Sequence, residues 1–340
     1  MSQQVLVTGG TGYVAGELIR QLLDRGWAIH TTVRNLAKSE SGLRARFGHP
    51  ASDRFKVFEV DLTSDAGWAD ACAGCSHVAH VASPIVAKAP KHEDELIVPA
   101  REGTLRALRF AKAAGVSRFV QTSSFVAVAY GHERGEYTFT ESDWTDVTHP
   151  DAYAYVKSKT LAERAARDWM VQEGGGMEYV SVNPGLVLGP IDSSDYSVSV
   201  ELIEQLLNGS MPLAPDLAFP IVDNRDIGAL HVLALEVDGL DGERFIGAGP
   251  CLKVRAIADI LRAGLGKRAQ KAPKTRMPDW LISVFGLFNP EVRGIKGELG
   301  MVRNADCSRA KTRLGWTMRP VEDTIIEAAE SLLDRGVVKP

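Results

Sequence analysis

With 340 residues, 45% of them apolar and 24% charged, the chain can bury a large core and has the composition of a soluble globular protein of one large domain or two small ones. A net charge of −4 argues against nucleic acid or an anionic membrane surface as partner. Residues 1–4 run straight into an apolar strand with no signal-peptide pattern, and no stretch approaches the ~18 apolar residues of a membrane helix, so a cytoplasmic location is expected.

The run Val5-Leu6-Val7 predicts a buried strand, and Glu17 to Leu23 an amphipathic helix. Between them residues 8–16 read T-G-G-T-G-Y-V-A-G, the strand, glycine turn and helix of a dinucleotide site. Gly9 permits the tight turn. Gly12 lets the backbone close on a pyrophosphate at the helix N-terminus, where free N–H groups point outward. The third small position is Ala15, with Gly16 beside it. Many glycine turns bind nothing, so this one takes its meaning from the rest of the chain.

Further strands are predicted at 28–33, 55–60, 77–82 and 117–122, with helices at 13–25, 65–72 and 93–114. A helix at 151–173 and a strand at 177–183 continue the beat to Pro184. Strands separated by helices mean βαβ units, and so an α/β fold with a doubly wound parallel sheet of Rossmann type. Ligands of such sheets sit at the carboxyl ends of the strands. After Pro184 the pattern turns irregular and rich in Gly and Pro, while 222–236 and 243–247 could return to the sheet. This divides the chain into a nucleotide-binding domain over 1–184, with returning segments near 222–247, and a smaller substrate-binding lobe over most of 185–340. Of the four cysteines, Cys72 and Cys75 have C-x-x-C spacing but no second pair or histidines at zinc spacing. They read as a helix end entering a strand, with no structural metal or disulfide expected.

The second strand ends Thr31-Thr32-Val33-Arg34, and no acid follows until Glu40. An NAD site would place a carboxylate here for the ribose 2′-hydroxyl. Arg34, with Lys38 four residues on, suits a 2′-phosphate instead, and the expected cofactor is NADP(H). The competing reading makes both plain solvated charges at a helix start. Asp61-Leu62 ends the third strand, where the carboxylate can accept from an adenine amino group or cap a helix.

The strand at 117–122 leads into Thr122-Ser123-Ser124, which places hydroxyls at the carboxyl edge of the sheet. The helix at 151–173 carries two overlapping Y-x-x-x-K pairs, Tyr153/Lys157 and Tyr155/Lys159, each stacked on one helical face. An ammonium beside a phenol favours the phenolate, which suits proton exchange with a carbonyl oxygen that a serine hydroxyl also orients. Two residues along a helix is a turn of about 200°, so only one pair can face the site. Below Tyr155 the face reads Lys159, Ala162, Ala166, Trp169, Met170 and should pack on the sheet. Below Tyr153 it reads Lys157, Thr160, Arg164 and Arg167 or Asp168, a solvated face.

Together these pieces resemble the extended short-chain dehydrogenase/reductase family, and within it the dihydroflavonol-reductase-like aldehyde and ketone reductases. The resemblance rests on V-T-G-G-T-G-Y-V-A-G (7–16), V-R-N (33–35), V-D-L (60–62), H-V-A-S-P (80–84), T-S-S (122–124), Y-V-K-S-K-T-L-A-E (155–163), V-N-P-G-L-V-L-G-P (182–190) and L-G-W (314–316). It implies Ser124, Tyr155 and Lys159 as catalytic residues, with Lys159 also binding the nicotinamide ribose. It implies a cofactor lined by Thr8, Gly9, Thr11, Gly12, Tyr13 and Val14, by Arg34 and Lys38, and by Asp61 and Leu62. Val81, Ala82 and Ser83, with Pro84, would lie along the nicotinamide side, and Pro184, Gly185 and Val187 would close over it.

The activity implied is NADPH-dependent reduction of a hydrophobic or aromatic aldehyde or ketone to the alcohol, and its reverse. The partner expected is that small molecule, for a monomer or homodimer. Plant flavonoid reductases carry an Asn shortly after the serine motif; here 125–129 read Phe-Val-Ala-Val-Ala, which suggests an apolar pocket wall. Glu102 stands where an Asn commonly precedes the glycine. Phe125-Val126 after Ser124 departs from the Asp-Glu of nucleotide-sugar dehydratases. A 3β-hydroxysteroid-dehydrogenase-like or sugar-nucleotide epimerase activity remains an alternative, as does a non-catalytic NADP sensor. Asp223, Arg225 and Asp226 would tie the lobes together, and His231 would be a packed structural histidine. Leu202 to Leu207, Trp280-Leu281-Ile282 and Phe285 to Phe288 offer bulky apolar groups for core or pocket.

Overall fold

Alternate residues of each early strand face opposite ways, and the structure turns that alternation into two buried layers. The computed structural model describes residues 3–47, 52–84, 90–192, 196–281 and 295–339. In chain order the strands of the main sheet are β1 (Gln4–Val7), β2 (Ala28–Val33), β3 (Phe55–Glu59), β4 (His77–His80) and β5 (Arg118–Thr122). A short strand β6 (Glu136–Phe139) lies outside it, and β7 (Glu178–Pro184) rejoins it. Three strands follow elsewhere or return: β8 (Leu186–Leu188), β9 (Ala218–Asp223) and β10 (Arg244–Gly247). The seven-stranded sheet has the order β10-β7-β5-β4-β1-β2-β3, and every pair in it is parallel. This is the Rossmann-like doubly wound arrangement. The order reverses between β1 and β4, which opens a crevice at their carboxyl ends.

Val5, Val7, Ala79, Val120 and Val182 face one buried cluster, while Leu6, Val78, Phe119 and Tyr179 face the other. The first cluster is closed by α1 (Tyr13–Asp24), through Leu18, Ile19 and Leu22, and the second by α3 (Trp68–Cys72) and α4 (Asp94–Ala113). Helix α5 (Ala154–Glu173) packs against α4, and α7 (Asn224–Glu236) against α1. Among the described residues no helix is long and apolar enough to cross a membrane. Cys72 and Cys75 are free, buried thiols at the end of α3, and burial raises them to about 12 and about 11.

The helix α2 (Leu36–Phe47) lies where the sequence pattern predicts no element. Only Leu43 and Phe47 of it are buried, so its apolar periodicity is faint. Polar anchors hold its start instead: the Leu36 amide donates to Glu59 (2.8 Å) and the Lys38 amide to Asn35 Oδ1 (2.9 Å). The segment 222–236 changes type near its start. Asp223 ends β9 and caps α7, its Oδ1 accepting from the Arg225 amide at 2.8 Å. β10 then pairs with β7 from Arg244↔Ser181 to Gly247↔Pro184, which returns the chain to the sheet.

The remaining segments are α6 (Val198–Asn208), β11 (Cys251–Lys253), α8 (Val254–Leu265), β12 (Val302–Ala305), α9 (Ser308–Leu314) and α10 (Val321–Asp334). β8, β9 and β11 form a three-stranded sheet, and β12 pairs with β6. Charged pairs fasten these segments to α7 and to one another. Arg319 donates to Asp226 from Nε (3.0 Å) and Nη2 (2.9 Å), and Arg225 bridges Asp223 (2.8 Å) and Glu327 (2.6 Å). The L-G-W motif belongs to the same fastening. Gly315, at φ +64°, ends α9 in the left-handed conformation, so that Trp316 turns inward to 2% exposure and donates to the Asp226 carbonyl at 2.8 Å. Trp316→Ala is therefore expected to lower unfolding stability by about 3–5 kcal/mol, measured by urea denaturation.

Candidate active site

The glycine turn joins the end of β1 to the start of α1 at the crevice. Gly9 has φ +75°, and a Cβ there would stand 3.1 Å from the Cβ of Ala82. A side chain on Gly12 would meet the Gly9 carbonyl at 3.1 Å. Gly12 caps α1 with its amide on the Gly9 carbonyl (2.8 Å), so the first-turn amides of Tyr13 and Val14 take no intrahelical partner. Such a cradle, bare of side chains and lined with free donors, fits a dinucleotide pyrophosphate. Thr11 and Val14 are half-buried beside it, and Tyr13 is buried with its hydroxyl donating to the Pro190 carbonyl at 3.4 Å. Burial also drives the Tyr13 phenol far above its ordinary value.

Thr8 has no exposed surface, and its hydroxyl serves the fold. It accepts from the amides of Val81 (3.0 Å) and Ala82 (2.9 Å) and lies 3.2 Å from His80 Nδ1, which leaves that nitrogen to accept the hydroxyl proton. Thr8 thereby fixes the loop that brings Val81, Ala82 and Ser83, all half-buried, against the glycine turn. Arg34 and Lys38 stand exposed just beyond β2. Asp61 accepts from the Thr63 hydroxyl (2.5 Å) and amide (2.7 Å), which, with the charge of Arg34 nearby, hold its carboxyl below the usual range. It closes a turn and caps no helix. Leu62 packs beside Gly103 of α4, where a Cβ would meet its own at 2.9 Å. Glu102, next to that glycine, accepts from its neighbour Arg101 at 2.9 Å. Pro184 is buried at the end of β7, and a side chain on Gly185 would collide with the Pro220 carbonyl. Val187 is buried in β8, its side chain part of the core.

The structure separates the two tyrosine–lysine pairs. Tyr153 lies before the helix, 48% exposed, and Lys157 is held by Glu93 at 2.6 Å. Tyr155 and Lys159 lie within α5 above the end of β5. Lys159 is 8% exposed, and its Nζ donates to the Thr122 carbonyl at 3.5 Å. Ser124, which follows β5, caps a short 3-10 turn over Phe125–Ala127, its Oγ accepting from the Val126 amide at 3.3 Å, and lies on the side of the Tyr155 phenol. A hydroxyl, a phenol and an ammonium thus converge at the carboxyl edge beside the glycine turn.

Comparison with known proteins places the chain in a family. Residues 5–245 match the family model described as "NAD dependent epimerase/dehydratase family". The chain belongs to that family. It is 36% identical to "Cinnamoyl-CoA reductase CAD2" of Medicago truncatula over 68% of this chain and 72% of the relative. It is 28% identical to "Ketoreductase azaE" of Aspergillus niger over 99% of each chain. The crystal structure of Gre2 from Candida albicans in complex with NADPH shares the fold, with a TM-score of 0.80 over 98% of this chain and 99% of that one at 22% identity.

Three expectations need correction within this family member. The Tyr155 phenol is not drawn down: burial pushes it above its ordinary value near 10, opposed by the nearby Ser124 hydroxyl, while the Lys159 ammonium donates to the Thr122 carbonyl at 3.5 Å. The face below Tyr153 is not solvated. Thr160 is fully buried there and Arg164 stacks on Trp144 at 5.1 Å, because residues 140–146 cover that side of α5. Of the stretch 125–129 only Val126 is not buried, so it is core rather than an open pocket wall. Trp280 is 65% exposed, while Ile282 and Phe285 to Phe288 lie outside the described residues.

Sequence reasoning missed the buried polar cluster behind the site. Glu163, one helical turn beyond Lys159, has no exposed surface. It accepts from Ser123 Oγ (2.5 Å), Arg244 Nε (2.7 Å), Ser181 Oγ (2.8 Å), Asn183 Nδ2 (2.9 Å) and Arg167 Nε (3.3 Å). The signal available was the Glu of Y-V-K-S-K-T-L-A-E, an acid on the sheet-facing side of a helix. Buried histidines complete the surroundings. Burial holds His80 at about 3 and His231 at about 4; His231 lies 2.7 Å from the Thr122 hydroxyl and 2.8 Å from the Ile227 carbonyl. Because the folded values lie below the ordinary 6.5, the unfolded chain takes up protons first, and stability should fall as pH drops from about 6.5 toward 4. NMR should find both imidazoles neutral and unshifted between pH 7.5 and 5, with urea midpoints declining over the lower part of that range.

Proposed function

We propose that this protein is an NADPH-dependent carbonyl reductase that converts a small aldehyde or ketone to its alcohol, with Ser124, Tyr155 and Lys159 as the catalytic residues. The convergence of these three groups at the crevice beside the glycine turn carries the reading. The relatives named as reductases support the same reaction type, and the NADPH complex of the Gre2 fold neighbour supports the cofactor. When bound, NADPH supplies the hydride that the carbonyl carbon receives.

The chain's own residues divide the remaining work. The amides of Thr11, Tyr13 and Val14 hold the pyrophosphate, with Gly9 and Gly12 allowing the approach. Arg34, exposed beyond β2 where an NAD site would carry an acid, holds the 2′-phosphate, with Lys38 adding charge. The Ser124 hydroxyl donates to the substrate oxygen and orients it. Tyr155 delivers its proton to that oxygen, and its raised pKa keeps the phenol in the acid form at neutral pH. Lys159, its ammonium on the Thr122 carbonyl at the carboxyl edge of β5, would hold the nicotinamide ribose hydroxyls. Asp61, Leu62, Ala82 and Ser83 wall the adenosine and nicotinamide sides, and Pro184 and Gly185 close the end.

NADPH consumption over a panel of hydrophobic aldehydes, ketones and diketones tests this reading. Tyr155→Phe should lower kcat by about 10²-fold or more, the scale of general acid catalysis, while Tyr153→Phe stays within about twofold of the parent. Turnover that survives Tyr155→Phe would overturn the assignment. Arg34→Ala should reduce the preference for NADPH over NADH about tenfold, as loss of one charge-assisted contact implies.

A further inference from the structure

The buried carboxylate of Glu163 touches every element that carries a reacting group, which goes beyond the demands of packing. Through Ser123 it holds the residue before Ser124 (2.5 Å). Through Asn183 it reaches Ser124 itself, since Asn183 Nδ2 donates both to Glu163 (2.9 Å) and to the Ser124 carbonyl (3.1 Å). Along α5 it lies one turn from Lys159, the spacing at which helical side chains are neighbours. Its counter-charges come from two other places. Arg244 of β10 donates to it at 2.7 Å and is anchored on the Glu141 (2.9 Å) and Asp143 (2.8 Å) carbonyls; Arg167 of α5 donates at 3.3 Å and also bonds Ser181 (2.8 Å) and the Gly242 carbonyl (2.8 Å).

We propose that Glu163 is a positioning residue for the reductase reaction: its buried carboxylate, one helical turn from Lys159 and bonded to Arg244 and Arg167, fixes Ser124 and tunes the charge state of Lys159. The proposal rests on the reductase reading and deepens it. The groups facing Lys159 are Tyr155 and Glu163 on α5, the neutral His80 on β4 and the Thr122 carbonyl of β5, with His231 of α7 behind Thr122. Those facing Glu163 are Arg167 on α5, Arg244 on β10, Tyr179, Ser181 and Asn183 on β7, and Ser123 after β5. Of all these, Glu163 supplies the opposite charge to the ammonium. Burial draws Lys159 down to about 8, and Glu163 is what opposes that fall. The carboxylate itself stays ionised: burial alone would raise it, but Arg244, Arg167 and the Ser123 hydrogen bond outweigh burial.

The test compares variants that change the charge balance in opposite senses. Glu163→Gln keeps the shape and removes the negative charge, which leaves two guanidinium groups uncompensated. The alkaline limb of the pH profile for carbonyl reduction should then move down by about one pH unit, with kcat falling more than KM changes. Arg167→Met removes a positive charge from a half-buried position and should move the limb up. The midpoint of the Lys159 ε-carbon signal, followed by NMR in the protein without cofactor and assigned with Lys159→Arg, should shift in the same two directions. A purely structural role would lower stability and rate in both variants without these opposed shifts.

If limb and midpoint stay fixed, or move together in one direction, the proposal is overturned. If Glu163→Gln does not fold, Arg167→Met decides alone: an upward shift supports the proposal and no shift overturns it. If the parent protein reduces no carbonyl, the reductase reading fails, and the Lys159 midpoints still decide whether Glu163 tunes the ammonium.

Discussion

A carboxylate without exposed surface sits beneath helix α5, and the arrangement of the site hangs on it. Glu163 accepts from groups on β7, on β10 and just beyond β5, so a single side chain locks the helix to three strands in one register. A slip of α5 by one residue would rotate it by about 100° and carry Tyr155 and Lys159 away from Ser124. Burying such a group is costly unless all its lone pairs are met, and removing one partner of a buried ion pair typically costs about 3–5 kcal/mol. The two guanidiniums and three neutral donors around Glu163 meet that requirement. The preformed geometry of Ser124, Tyr155 and Lys159 depends on it.

The same carboxylate links the late part of the chain to the early part. Arg244 stands on β10, added to the sheet after the excursion through β8 and β9, and its guanidinium lies 3.8 Å from the ring centre of Trp144. The C-terminal half therefore supplies a counter-charge to a candidate site whose proposed catalytic groups all lie in the first half. Asp223, Arg225, Asp226 and Arg319 repeat the device at the other helical face, where α7 rests on α1. Sheet position and charged anchors together decide where the crevice opens.

Much of this is legible in the sequence, for identifiable reasons. Val5-Leu6-Val7, the beat of strands and helices to Pro184 and the glycine turn point to the parallel sheet, since each signal depends on local periodicity or on glycine. The burial of Lys159 is also local, because helical spacing sets it in line with the buried Ala162 and Ala166. Helix α2 escapes such reading because Leu43 and Phe47 give it almost no apolar face, and its start is held by Glu59, a residue distant in sequence. β6 and β12 escape it because their partners lie far apart in the chain, from Glu136↔Val302 to Phe139↔Ala305. The role of Glu163 is hidden for the same reason: a buried acid is recognisable only once Arg244, 81 residues away, is seen to face it.

A pair of crystal structures, with and without NADPH, tests the preformed site most directly. Ser124, Tyr155, Lys159 and Glu163 should keep the same positions in both. The pyrophosphate should lie on the amides of Thr11 to Val14, the 2′-phosphate on Arg34 and the nicotinamide ring against Tyr155. A nicotinamide ring directed away from Tyr155, or a helix α5 that shifts over β5 on binding, would contradict a site preformed around Glu163.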